Sequence, residues 1–440
     1  MKQHIIVKLR APLPGGADPP DWRTFIHDKS RGLTTLISEF DRLMTEAGMK
    51  FWVTREYRLS QTRGSHDEAE QGLDRTFRII LWEDHDVPDI LVERVRQIPM
   101  VETARAIAVT ETVLPPPQVA TQASLSMRSA GELIHLGYAR MLTKGRRDVV
   151  IAVLDTGVDA NHPELRGKIA KGADFVNLEG LNTAGFVGDF LGLDDSPDDE
   201  VGHGTHVSGI IAAKGLKMDE GVAPGCSLMS VRVLATMTNN GQRVGAGIVD
   251  NINAGIKWAV DNGADVINMS LGIRHMGGGL PHEDIIRYAL KKNVTVVAAS
   301  GNDGTAEKYY PGALDGVWAV GATDDVGEIA TFTSYGAPIR VVAPGSRIYS
   351  AFADGRYAMA SGTSQAAPFV SGAVGLMKSF AKEHGRRLTN ADLVRLFRHT
   401  SDRPDTRLRS PRTGYGLINL ADAFKLLSHQ LTGSSMRGFS

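Results

Sequence analysis

Residues 148–159 read DVVIAVLDTGVD. The apolar residues from Val149 to Leu154 run unbroken and stop at Asp155, and Gly157 marks a turn just beyond. A short run without polar alternation predicts a strand buried on both faces, as in a parallel sheet. Four more runs of this kind follow: SLMSVRVL (227–234), ADVINMSL (264–271), VTVVAAS (294–300) and VWAVGAT (317–323). Between them, AGIVDNINAGIKWAVDNG (246–263) and HEDIIRYALKKN (282–293) read as helices. Strands alternating with helices predict a doubly wound α/β domain with a mostly parallel sheet. Functional groups in such sheets gather at the carboxyl ends of strands. Asp155 sits at one such end.

Three motifs in fixed order carry the chemistry: VLDTGVD ending at Asp159, GHGTHVSG from Gly202, and SGTSQAAP from Ser361. With SGNDG around Asn302 they supply Asp155, His203, Ser364 and Asn302. Serine is a poor nucleophile at neutral pH. It needs a base to take its proton and a carboxylate to orient that base. The pair His203 and His206 lacks the Glu and the spacing of a zinc-protease HExxH motif, so no catalytic metal is expected.

On these motifs, and on GVAP (221–224), GADVINMSLG (263–272) and GYGLINLADAF (414–424), the chain resembles the subtilisin-like serine proteases from about Ala130 to Ala423. The resemblance implies a serine endopeptidase that needs no catalytic cofactor. Ser364 would be the nucleophile of an acyl-enzyme and His203 the general base. Asp155 would orient the imidazole, and Asn302 would donate to the oxyanion beside the Ser364 N–H. Ser270, Leu271 and Gly272 would bind an extended peptide. Ala299, Ser300 and Gly301 would line the pocket for the side chain before the scissile bond, with Lys308 and Tyr309 at its floor. Gln365 stands where the family commonly has Met. Two other readings stay open: a specialised processing protease for one precursor, and a non-catalytic binding protein on the same fold.

The first part of the chain, to residue 112, has its own pattern. QHIIVKL, KFWVTREYRL, RTFRIILW and VETARAIAV read as strands, with QTRGSHDEAEQG (61–72) a polar loop between the second and third. Leu33, Leu36, Ile37, Phe40, Leu43 and Met44 recur at helical spacing, and VPDILVERVRQI reads as a second helix. The β-α-β-β-α-β order predicts a small α+β ferredoxin-like domain. Ahead of a subtilisin-like domain it resembles the family's propeptide, which acts as chaperone and intramolecular inhibitor. VLPPPQVATQ opens an extended linker over 113–128, the catalytic domain spans 129–430, and 431–440 reads as a flexible tail.

The net charge of −1 excludes a strong field for nucleic acid or a membrane surface. No apolar run approaches the ~20 residues that span a bilayer. MKQHIIVKLRAP lacks the apolar stretch of a secretory signal, which favours a cytoplasmic protein acting on peptide or protein substrates. Cys226, the single cysteine, is expected to be a buried, inert thiol. The loop LDDSPDDEVGHG carries Asp194, Asp195, Asp198, Asp199 and Glu200. It reads as solvated surface, with a subsite for basic substrates as the sharper alternative. Glu164 matches a position that often ligates calcium in the family. The partner loop AAKGLKMDEG has two lysines and a different pattern, so structural calcium is not supported.

Overall fold

The computed structural model of the chain describes residues 3–61, 64–83, 86–107, 109–111, 118–119, 130–178, 183–190, 196–239, 241–275, 279–404 and 406–435. All five apolar runs are strands. The N-terminal region holds β1 (His4–Leu9), α1 (Trp22–His27), α2 (Ser38–Glu46), β2 (Phe51–Arg55), α3 (His66–Glu70), β3 (Thr76–Leu81), α4 (Asp89–Arg96) and β4 (Val101–Ala106). Two short strands, β5 (Val109–Glu111) and β6 (Gln118–Val119), lead into α5 (Ala130–Leu133) and α6 (Leu136–Leu142). Then come β7 (Val150–Asp155), β8 (Ile169–Asp174), α7 (His203–Ala212), β9 (Ser227–Arg232), β10 (Ala235–Asn239), β11 (Gln242–Ile248), α8 (Val249–Asp261) and β12 (Val266–Met269). The chain closes with α9 (Glu283–Lys291), β13 (Thr295–Ala299), β14 (Trp318–Thr323), β15 (Ile339–Pro344), β16 (Ile348–Phe352), β17 (Arg356–Ala360), α10 (Thr363–Glu383), α11 (Asn390–Thr400) and α12 (Leu420–Ser435).

The main sheet has seven strands in the order β15-β14-β13-β12-β7-β9-β8, and every neighbouring pair is parallel. Side chains alternate between two cores. Ile151, Val153 and Leu228 pack with α7, α10 and α11, whereas Ala152, Leu154, Met229 and Val231 pack with α8 and α9. Burial on both faces explains why these strands carry no polar alternation. The order reverses between β7 and β12, and the crevice beyond their carboxyl ends is where such sheets place their ligands.

The N-terminal domain is a four-stranded antiparallel sheet in the order β2-β3-β1-β4, as the split motif requires. One expectation fails there. The polar loop between the second and third strands contains α3, closed by a capping box in which Ser65 and Glu68 satisfy each other's backbone N–H. The domain docks on α8 and α9. Lys257 reaches buried Glu68 at 2.6 Å, His4 meets Asp250 at 3.2 Å, and Arg105 pairs with the same Asp250. Burial alone would raise the Asp250 carboxyl, but Arg105 and His4 outweigh it and hold it well below the usual range. Trp22, Phe25 and Ile80 form one apolar cluster with Val176, Leu178, Ala235 and Ile248 of the large domain.

Most of the expected linker lies outside the described residues. Of residues 113–128 only Gln118–Val119 are described, as β6, which adds to β17; β5, just ahead of the linker, adds to the β10–β11 hairpin. The tail was expected to begin at 431, but α12 continues to Ser435, and 436–440 lie outside the described residues. Among the described residues no helix is long and apolar enough to cross a membrane.

Candidate active site

Asp155 is the last residue of β7 and is fully buried. Its Oδ1 accepts the Thr156 N–H at 2.8 Å and lies 2.7 Å from His203 Nδ1. That contact fixes the imidazole with Nδ1 turned to the carboxylate. His203 Nε2, the other ring nitrogen, meets no hydrogen-bond partner among the described residues. Burial pulls the His203 imidazolium down, but the Asp155 charge and hydrogen bond, with Asp199 behind them, outweigh it and raise its pKa above the ordinary value.

His203 opens α7, and the helix can approach the Asp155 loop only because its second residue is glycine. A side-chain carbon on Gly204 would stand 2.0 Å from the Gly157 carbonyl oxygen. Asp199 then locks the two parts together. Its carboxylate accepts Thr156 Oγ1 at 2.8 Å, the Gly202 N–H at 2.7 Å, the Thr205 N–H at 2.8 Å and Thr205 Oγ1 at 2.6 Å. Burial raises the Asp199 carboxyl, the largest influence on it, although these donors oppose the shift.

This corrects the reading of the acidic loop at Asp199 and Glu200. Asp199 is buried and fully engaged. Glu200 accepts the Asp189 N–H and Thr236 Oγ1 and lies 3.6 Å from Arg232. Among the described carboxylates of the loop only Asp198 is exposed, and it is bonded to Ser196. Asp194 and Asp195 lie outside the described residues. The described part of the loop is therefore structural, and offers no cluster of free carboxylates to a basic substrate.

Ser364 is the second residue of α10, so its hydroxyl sits where backbone N–H groups have no partner within the helix. Its Oγ donates to the Ser270 carbonyl at 3.1 Å, and Ser270 Oγ donates back to the Ser364 carbonyl at 2.8 Å. Ser270 and Leu271 are buried to 0% and 1% exposure, and of the three expected substrate-binding residues here only Gly272 is half-buried. Asn302 accepts the Thr363 N–H at 2.8 Å and Thr363 Oγ1 at 3.0 Å through Oδ1. An N–H can only donate, so the amide orientation is fixed and Nδ2 is left as a donor. Ser300 N–H donates to Val320, Gly301 N–H to Thr363 Oγ1, and Ala299 ends β13. Gln365, next to Ser364, is buried.

His206 stands apart from this chemistry. Its Nε2 lies 3.1 and 3.2 Å from the Ile348 and Ala358 carbonyls, and burial with neighbouring His203 pushes its pKa down to about 3. Cys226 is buried and its thiol is pushed up by that burial. Glu164 is also fully buried. Its carboxylate accepts the N–H groups of Gly215, Leu216 and Lys217 at 2.7–3.0 Å and lies 3.2 Å from Tyr357 Oη. A calcium site needs a shell of oxygen ligands. The groups around Glu164 are hydrogen-bond donors, so this corner does not fit the ion.

Two features escaped the sequence reading. Asp199 looked like one charge in a run. The β10–β11 hairpin was partly read as the start of the α8 helix, yet 246–248 are strand, and β5 pairs antiparallel with it as Ala246↔Glu111, Gly247↔Thr110 and Ile248↔Val109. The Asn-Gly pair at 240–241 was the available hairpin signal.

A buried carboxylate–imidazole pair, a serine at a helix N-terminus and an amide donor beside it define the serine-peptidase class of site. Residues 146–416 match the model of the subtilase family, and the chain belongs to that family of serine endopeptidases. It is 39% identical to a thermophilic serine proteinase of Bacillus sp. (strain AK1) over 60% of this chain and 59% of the relative. It is 38% identical to thermitase of Thermoactinomyces vulgaris over 54% of this chain and 77% of thermitase. The solved structure of the prenylagaramide maturation protease PagA matches with a TM-score of 0.54 and 29% identity, covering 66% of this chain and 98% of that one.

Proposed function

We propose that this chain hydrolyses peptide bonds through an acyl-enzyme on Ser364. His203 Nε2 takes the hydroxyl proton as Oγ attacks the scissile carbonyl. Asp155 holds the tautomer and stabilises the imidazolium, and the proton then passes to the leaving amine. Asn302 Nδ2 and the Ser364 N–H donate to the oxyanion of the tetrahedral intermediate. Water repeats the sequence on the acyl-enzyme and frees Ser364. The observation that carries this reading is the 2.7 Å Asp155–His203 contact, with the second ring nitrogen left unbonded. The test is Ser364→Ala, which should abolish peptide hydrolysis while leaving the fold intact; unchanged turnover in a clean preparation would sink the mechanism.

We also propose that the N-terminal domain inhibits the site of its own chain. β5 supplies an extra strand to β11 in the manner by which sheets capture peptides. β6 pairs with β17, the strand that leads into α10 and Ser364. The buried Lys257–Glu68 and His4–Asp250 contacts hold the domain in place. A role in maturing one partner precursor is the second reading, favoured by the likeness to a maturation protease.

A further inference from the structure

The carboxyl ends of β12 and β13 flank Ser364, and each continues into a glycine: Gly272 after β12 and Gly301 after β13. A glycine on each wall leaves a slot beside the nucleophile. That slot is already filled. A side-chain carbon on Gly301 would stand 2.4 Å from Tyr309 Cδ2, and one on Gly272 would stand 3.0 Å from Tyr309 Cβ. The tyrosine ring therefore lies directly against both walls.

The ring is held from three sides. Ile273 and Tyr310 exchange two backbone hydrogen bonds, at 2.9 and 2.8 Å, which fixes the chain next to Tyr309. The Tyr309 carbonyl accepts the Ala313 N–H at 2.8 Å. Its hydroxyl donates to Asp303 and accepts from Arg274 Nε at 3.1 Å, and Arg274 Nη2 pairs with the same Asp303 oxygen at 2.8 Å. The Asp303 charge is thus taken up by Arg274 and is not left for a cationic substrate. Lys308, the other expected floor residue, is exposed.

We infer that Tyr309 plugs the pocket for the residue before the scissile bond, so that the enzyme cuts after glycine or alanine and rejects large side chains there. The inference rests on the proposed acyl-enzyme at Ser364. The half-buried ring occupies the space beside both glycines, so a second ring could enter only by displacing it, and overpacking carries a penalty of its own. Tyr309 would then act on specificity, with no part in proton transfer.

The test uses the full chain and a peptide series differing only in that residue: Gly, Ala, Leu, Phe and Lys. Fluorophosphonate titration counts reactive Ser364 in the same preparations. For the wild type, kcat/KM should favour Gly and Ala over Phe and Leu by at least about 10²-fold, the scale on which pocket size discriminates. Tyr309→Gly should raise the Phe-to-Ala ratio by about 10²-fold. Tyr309→Phe keeps the ring, and should keep the preference. A wild type that cuts after Phe or Leu as fast as after Ala overturns the inference, as does an unchanged ratio in Tyr309→Gly. If Tyr309→Gly does not fold, the wild-type and Tyr309→Phe profiles decide. A normal titre with the wrong profile refutes the plug alone. Absence of a titratable Ser364 both in the wild type and in Trp22→Ala, which loosens the docked N-terminal domain, removes the acyl-enzyme reading and the plug together.

Discussion

Asn302 has two polar ends that substitution can separate. Its Oδ1 accepts the N–H and hydroxyl of Thr363, the first residue of α10. Its Nδ2 remains to donate to an oxyanion. Asn302→Ala removes both. Loss of the donor should cost ~3–4 kcal/mol of transition-state stabilisation, or about 10²–10³ in kcat, the magnitude known for an oxyanion donor of subtilisin. Loss of the acceptor at the helix start should cost ~1 kcal/mol of stability. Asn302→Asp keeps the acceptor and places a carboxylate at a helix N-terminus, which is favourable by ~0.3–1 kcal/mol. It deletes the donor and sets a like charge beside the developing oxyanion, at a further cost of up to ~4 kcal/mol for charges ~4 Å apart at an effective dielectric of about 20. The Asp variant should therefore melt near the wild type yet turn over more slowly than the Ala variant. Steady-state kcat and KM at pH 8, with thermal unfolding measured in a Ser364→Ala background to prevent autolysis, reads both effects. Equal stability loss in both variants, or a change confined to KM, would show that Asn302 only braces α10 or positions substrate.

The remaining predictions concern the surroundings of the site. The base must be neutral, and the His203 pKa is raised, so kcat/KM should fall as pH drops through a midpoint above about 6.5. Asp199→Asn should lower that midpoint by removing a nearby charge, and a rate flat from pH 5 to 8 would argue against a histidine base. Trp22→Ala removes the largest side chain of the interdomain cluster, at ~3–5 kcal/mol of packing, and should raise the activity of the intact chain on a small peptide. Unchanged activity would count against inhibition by the docked domain. Chelation with EDTA should leave the unfolding temperature within about 1 °C, because N–H donors surround Glu164, whereas Glu164→Ala should lower it by several degrees by removing the charged acceptor of three backbone N–H groups, at ~1 kcal/mol each. A large EDTA-induced drop would show that a cation stabilises the fold.

Much of this molecule was legible in its sequence because the signals were local. An apolar run ending at Asp155 needs only its own residues to declare a buried strand, and GHGTHVSG and SGTSQAAP are short motifs complete within a few residues. What was missed depends on partners far along the chain. Asp199 is indistinguishable from its charged neighbours until Thr156, over forty residues away, is seen to donate to it. The strand character of Ala246 to Ile248 is conferred by β10 and β5, since a Gly-Ala-Gly-Ile stretch has little preference of its own. The helix α3 did announce itself locally, through Ser65 and Glu68, within a stretch whose polarity suggested a loop. Edge strands β8 and β15 are diluted by Lys171, Gly172 and Arg340, which blurs the apolar run.

The most direct measurement is mass spectrometry of the enzyme quenched during turnover of a slow ester substrate. The account predicts one acyl group per reactive chain, located on Ser364, that accumulates when deacylation is slow and vanishes in Ser364→Ala. Continued turnover in Ser364→Ala, or an acyl group on any other residue of the active wild type, would contradict it.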